Sequence, residues 1–210
     1  MSIVWPCPLA VEAYALMGRA VQVPRPECPS CRVPLVFWSG YWRYIRWRQR
    51  ERKIFIRRVR CGSCGVTHAL LPAFTLARRL DAADTAGAVI GQVAGGGCGV
   101  RPAAAAAGVP YTTARGWVRR FGARAGELAV SFSALCAELG GEAGPLPDRF
   151  GHAVAAISAA FTAAAGLPGW AVLGRWRFAS AVTGGSLLAA NASSPWLVIG
   201  RRRFMPPRSP

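Results

Sequence analysis

Acidic side chains are scarce in this chain: nine Asp and Glu stand against 26 Lys and Arg, a formal charge of +17 over 210 residues. That shortage excludes chemistry in which several carboxylates must converge. Two-metal phosphoryl transfer, the reaction of many nucleases and transposases, is one such case. Glu12, Glu27, Glu51, Asp81, Asp84, Glu127, Glu138, Glu142 and Asp148 are dispersed, and none lies in an apolar, strand-like run. Histidine is scarcer still, and no motif places a nucleophile beside His152. The glycines from Gly95 to Gly99 lack the lysine and helix that would make a phosphate loop. The expectation is a protein without catalysis.

Two further absences concern location. Met1 to Val4 has no basic leader region, and Glu12 interrupts the apolar stretch that follows, so no signal peptide is read. Ala153 to Gly174 is uncharged over a bilayer-spanning length. It is mostly alanine, however, and Gly166-Leu167-Pro168-Gly169 reads as a turn between two soluble helices. The expected location is cytoplasmic and nucleoid-associated, with no membrane partner.

What is abundant is arginine, whose planar fork suits phosphate and guanine edges. A charge of this size concentrates polyanions at the surface. Seven cysteines are also present, and four of them form two pairs, Cys28-Pro29-Ser30-Cys31 and Cys61-Gly62-Ser63-Cys64. Each Cys-x-x-Cys knuckle supplies two sulfurs from one tight turn, and two knuckles make a four-thiolate set suited to structural zinc. Iron accepts the same ligands. Cys28, Cys31, Cys61 and Cys64 are therefore the predicted zinc ligands. His68 is close enough to join them but superfluous, and Cys7, Cys98 and Cys136 read as small core residues.

Between the knuckles, Leu35 to Arg60 is rich in Trp, Tyr, Phe, Ile and Val, as strands are. A bend is expected at Ser39-Gly40 and a hairpin turn at Gln49 to Arg52. Arg43, Arg46, Arg57 and Arg58 are offered as phosphate contacts. Trp42, Tyr44, Trp47 and Phe55 could stack on bases, although hairpin packing is the simpler role. A hairpin this small cannot bury both faces, so the metal should supply much of its stability.

Downstream the periodicity turns helical. A short helix is expected at Val11 to Met17, and another runs from an Asp81 N-cap to Ala94. Further helices are expected at Pro102–Ala107, Pro110–Phe121 and around Leu128–Leu139, with two weaker Ala-rich ones beyond a break at Gly140–Pro147. Arg101 to Phe121 has helix-turn-helix spacing. Ala104 is small at the crossing, Gly108 suits a left-handed turn, and Val109 plugs the core. Ala114, Trp117, Val118 and Phe121 form the buried stripe. The other face presents Tyr111, Thr112, Thr113, Arg115 and Arg119, residue types that bond base edges and phosphates. These are the predicted DNA contacts.

The fold class expected is α+β. A lead-in (1–27) precedes a zinc-ribbon β-hairpin module (28–74), a helix-turn-helix region (80–125) and a helical extension with a basic tail (126–210). The segments Pro24 to Cys31, Trp38 to Arg43 and Arg57 to Pro72 resemble an uncharacterised bacterial zinc-ribbon family. Its members join the ribbon to a helix-turn-helix like Gly108 to Trp117. The resemblance extends to Trp176-Arg177-Phe178 and to the tail from Arg201 to Pro207. The ribbon also resembles the N-terminal zinc-binding module of insertion-sequence transposases. The resemblance implies a DNA-binding protein associated with mobile elements. The function expected is non-catalytic binding of duplex DNA, as in a transcriptional regulator. One alternative is an accessory of a transposition system working through a transposase, and another is an RNA or single-strand binder.

Overall fold

A computed structural model of the chain describes residues 2–142 and 149–189. The described residues form an α+β structure with a four-stranded sheet and six α-helices. Strand β1 (Ser2–Trp5) and helix α1 (Val11–Met17) open the chain. The apolar, β-branched and aromatic run between the cysteine pairs forms β2 (Val36–Trp47) and β3 (Arg50–Arg60), paired antiparallel from Val36 opposite Arg60 to Trp47 opposite Arg50. The register shifts between Phe37 and Ser39. Beside that bulge the Phe55 ring lies over Gly40, in space that a Cβ would fill.

The hairpin turn is Arg48-Gln49, one residue earlier than the sequence suggests, and both residues have left-handed φ (46° and 61°). A two-residue turn of this kind matches the twist of its strands. No Asn-Gly announces it. Arg48 lies over the adjacent Trp47 ring, 5.2 Å from the centroid, and the Gln49 side chain is held from outside the hairpin against Gly108.

β4 (Thr67–Pro72) pairs antiparallel with β3 and parallel with β1, giving the order β1-β4-β3-β2. The hairpin is therefore half of a larger sheet. Ile54, Phe55, Ile56 and Val59 of β3 are all buried. Helix α1 packs on β3, where the Tyr14 hydroxyl donates to the Phe55 carbonyl at 3.0 Å and the Tyr14 ring meets Phe74 edge-on. The hairpin therefore has packing partners of its own besides the metal expected to supply much of its stability.

The helices are α2 (Ala83–Ala94), α3 (Val100–Ala106), α4 (Tyr111–Glu138), α5 (Arg149–Ala165) and α6 (Arg175–Val182). Asp81 does not cap α2, whose N-cap is Ala82 without a side-chain hydrogen bond. Asp81 faces Arg46 instead, with Oδ1 3.5 Å from Nη1. The two helices expected between Pro110 and Leu139 are one. Gly122 and Gly126 are both exposed, where each costs up to about 1 kcal/mol relative to alanine. The continuous buried stripe of Phe121, Ala125, Leu128, Phe132 and Leu135 holds the helix through them. α5 packs along α4, and α6 presses Trp176 onto Gly87 of α2 and edge-on to Phe121. Buried residues from all four sequence segments join one hydrophobic cluster. Cys7 and Cys136 are buried in it, while Cys98 is half-buried at its margin. Ala143 to Asp148 and the basic tail from Arg201 to Pro207 lie outside the described residues. No helix among the described residues is long and apolar enough to cross a membrane.

Candidate metal centre and basic face

The two knuckles are near-copies in backbone geometry. Cys28 N–H donates to Val33 O at 2.7 Å and Arg32 N–H to Cys28 O at 2.9 Å. Correspondingly, Cys61 N–H donates to Val66 O at 2.9 Å and Gly65 N–H to Cys61 O at 3.0 Å. The residue after each second cysteine is left-handed, Gly65 at φ 72° and Arg32 at φ 59°. Glycine adopts this at no steric cost, whereas arginine must be held there by the surrounding turn.

This geometry brings the sulfurs of Cys28, Cys31, Cys61 and Cys64 within 4.8 Å of one another, a set that could hold a metal ion. Cys28 and Cys61 are buried, Cys31 is half-buried and Cys64 exposed, so the cluster sits at the surface with its back to the core. The Cys64 N–H donates to the Cys61 sulfur at 3.4 Å and, as the leading cause, lowers the Cys61 thiol to about 7. Cys31 moves the other way, to about 12, chiefly through its contact with Cys64. Four thiols this close cannot all ionise without a cation between them. His68 is buried in β4 opposite Val59 and is not part of the four-residue set.

The arginines divide into two kinds. Arg43 donates Nη2 to the carbonyls of Leu76 (2.7 Å) and Arg79, and desolvation lowers its pKa. Arg46 pairs with Asp81, and its backbone joins the same loop through Arg46 N–H to Leu80 O (2.8 Å) and Ala82 N–H to Arg46 O (3.1 Å). These two fasten the 76–82 loop to β2 rather than facing outward. Arg57 donates to Arg19 O at 2.6 Å and Arg58 to Thr67 Oγ1 at 2.8 Å, each half-buried.

The first half of α4 is arranged differently. Ala114, Trp117 and Phe121 are buried, while Tyr111, Thr112, Arg115 and Arg119 are exposed and Thr113 is half-buried. Gly108, at φ 63°, makes the turn between α3 and α4, and Val109 N–H closes it onto Ala104 O at 3.0 Å. Gln49 against Gly108 brings the hairpin tip to this turn, so exposed Arg48 and Arg50 belong to the same end of the molecule. Arg101 lies over the Tyr111 ring, 5.1 Å from its centroid. Trp42 and Tyr44 are exposed on edge strand β2, whereas Phe55 is buried and Trp47 half-buried.

Arg48 and Arg50, part of the arginine-rich run between the knuckles, sit at the hairpin tip; sequence reasoning gave no role to Arg78 and Arg79 beside α4 or to Arg120 on it. The Arg78-Arg79 and Arg119-Arg120 doublets were the available signal. No curated protein and no solved structure is significantly similar to the chain. Residues 28–100, from the first knuckle to the start of α3, match the model of a family described as a domain of unknown function, DUF6431. Over that stretch, both knuckles, the hairpin and α2 are similar to a family whose description gives no activity.

Proposed function

We infer that this chain is a non-catalytic binder of duplex DNA, in which α3, the Gly108 turn and the start of α4 act as a helix-turn-helix. The observation that carries the reading is the division of α4's first three turns. One side is sealed in the core by Ala114, Trp117 and Phe121, and the other offers Tyr111, Thr112, Arg115 and Arg119 with few acids nearby. An exposed helix start bearing threonine and arginine has the reach to read a major groove. The hairpin tip, through Arg48 and Arg50, supplies phosphate contacts from the side. Phosphate contacts position and base contacts specify.

The ion at the cysteine cluster is zinc in this reading. For Zn–S bonds of about 2.3 Å, a tetrahedron has sulfur–sulfur edges of about 3.8 Å. The Cys28 and Cys64 sulfurs are 3.8 Å apart. Four thiolates leave no open coordination position, so the ion is structural, holding the knuckles at the far end of the hairpin from Arg48 and Arg50.

Arg115→Ala is expected to cost about 1–3 kcal/mol at a selected site and to relax base preference there. Fluorescence anisotropy on selected and random duplexes measures both. Equal losses on the two would mean that α4 does not read bases.

A further inference from the structure

Beside the exposed face of α4 lies a cleft of about 370 Å³, walled on one side by Arg78 and Arg79 and on the other by Thr112, Thr113, Gly116 and Arg120. Trp117 also lines it, and so does one acid, Asp81. Asp81 Oδ1 lies 3.5 Å from Arg46 Nη1, and burial, opposed by Arg46, raises its pKa, which favours the neutral carboxyl there.

Three features make this more than a gap between charged residues. The 76–82 loop is fixed in place: Arg43 and Arg46 tie it to β2, and Ala77 N–H donates to Gly185 O at 2.7 Å. Arg78 is held there in a left-handed conformation, φ 57°. Opposite, the Arg120 guanidinium folds back over Gly116, where an added Cβ would stand only 3.0 Å from Nη1. Glycine inside a helix is unfavourable. At position 116 its bare Cα leaves room for that guanidinium in the cleft. Like charges are also crowded together, since burial and then the charges of Arg79 and Arg119 lower the pKa of Arg120. Among the described residues, the Arg79 side chain has one weak acceptor, Leu188 O at 3.4 Å.

Arginines and threonines lining one fixed cleft are a donor set that oxyanions take. We propose that the cleft is an oxyanion seat, and that its occupant is a phosphate of the DNA backbone alongside α4. The second half of this rests on the duplex-binding reading; the first does not. The seat would fix the register of the helix on the duplex, and Arg43 and Arg46 serve it as positioning residues.

The test uses the full chain and two separate titrations, one with inorganic phosphate and no DNA, one with a random-sequence duplex. Wild type should bind one phosphate per chain by calorimetry. The R78Q/R120Q double variant should weaken this roughly tenfold or more, as two charge-assisted contacts are lost. G116E gives a fold-safe control: a glutamate four residues before Arg120 pairs with it along the helix, occupying the guanidinium while supporting the helix. It should also weaken phosphate binding roughly tenfold or more, with a melting temperature no lower than wild type. On duplex, the double variant should lose affinity for all sequences alike, and its log–log salt slope should shrink by roughly one. If wild type takes up no phosphate, or both variants bind it like wild type, the seat is refuted whatever the DNA result. If the variants lose phosphate but keep duplex affinity and slope, the seat stands for a free anion and its assignment to the DNA backbone is refuted. Phosphate binding by a wild type that binds no duplex would support the seat and contradict the duplex reading instead.

Discussion

Cys61→Ser should reduce bound metal from about one equivalent per chain toward none and disorder the knuckle at Cys61–Val66 together with its partner at Cys28–Val33. Cys61 is the most constrained of the four ligands, fully buried and accepting the Cys64 N–H. A structural zinc ion contributes on the order of 10 kcal/mol to folding of its site, comparable with the whole stability of a domain. The damage should nevertheless be graded. β3 is pinned by β4 and α1 through Ile54, Ile56 and Val59, none of which depends on the ion. Hydrogen exchange should therefore rise most in the two knuckles and least in α4 and α5. Elemental analysis and exchange mass spectrometry read both effects. Wild-type protein prepared without stoichiometric metal, or a variant that keeps it, would contradict the centre.

The second large effect is expected at Arg43. Removing its guanidinium leaves the Leu76 and Arg79 carbonyls without a charged donor in a partly buried place. Each charge-assisted bond contributes about 1.5–3 kcal/mol, so Arg43→Ala should destabilise the fold by about 3 kcal/mol or more. Urea unfolding should show a lower midpoint with little change in slope. Duplex binding should weaken only as a consequence, through the loosened 76–82 loop. Unchanged stability combined with a smaller salt slope would instead mark Arg43 as a phosphate contact, the role its sequence context suggests.

That contrast shows where sequence reading stops. The cysteine spacing is a local signal, because a knuckle is one turn and its ligands lie three residues apart. Helix α1 and the apolar strands between the knuckles are similarly written in short periodicities, as is the stripe of Ala114, Trp117 and Phe121. β1 and β4 are not. Ser2–Trp5 is four residues long and becomes a strand through parallel pairing with residues 69–72, a contact that no local pattern encodes. The length of α4 was hidden for a related reason, since Gly122 and Gly126 look like breaks until the packing of α5 along the helix outweighs their propensity. Arginine is the least legible residue of all. Arg43, Arg46 and Arg78 look alike in sequence, yet the first two secure a loop and the third sits on it facing α4. The difference lies in carbonyls and carboxylates more than thirty residues away.

Selection of bound duplexes from a random pool by the metal-loaded 210-residue chain tests the central claim most directly, with single-stranded DNA and RNA as competitors. The account predicts enrichment of one short duplex motif, resistance of that complex to single-stranded competitor, and loss of the enrichment with Arg115→Ala. A pool that stays random through successive rounds, or single strands that displace duplex at equal concentration, would contradict it.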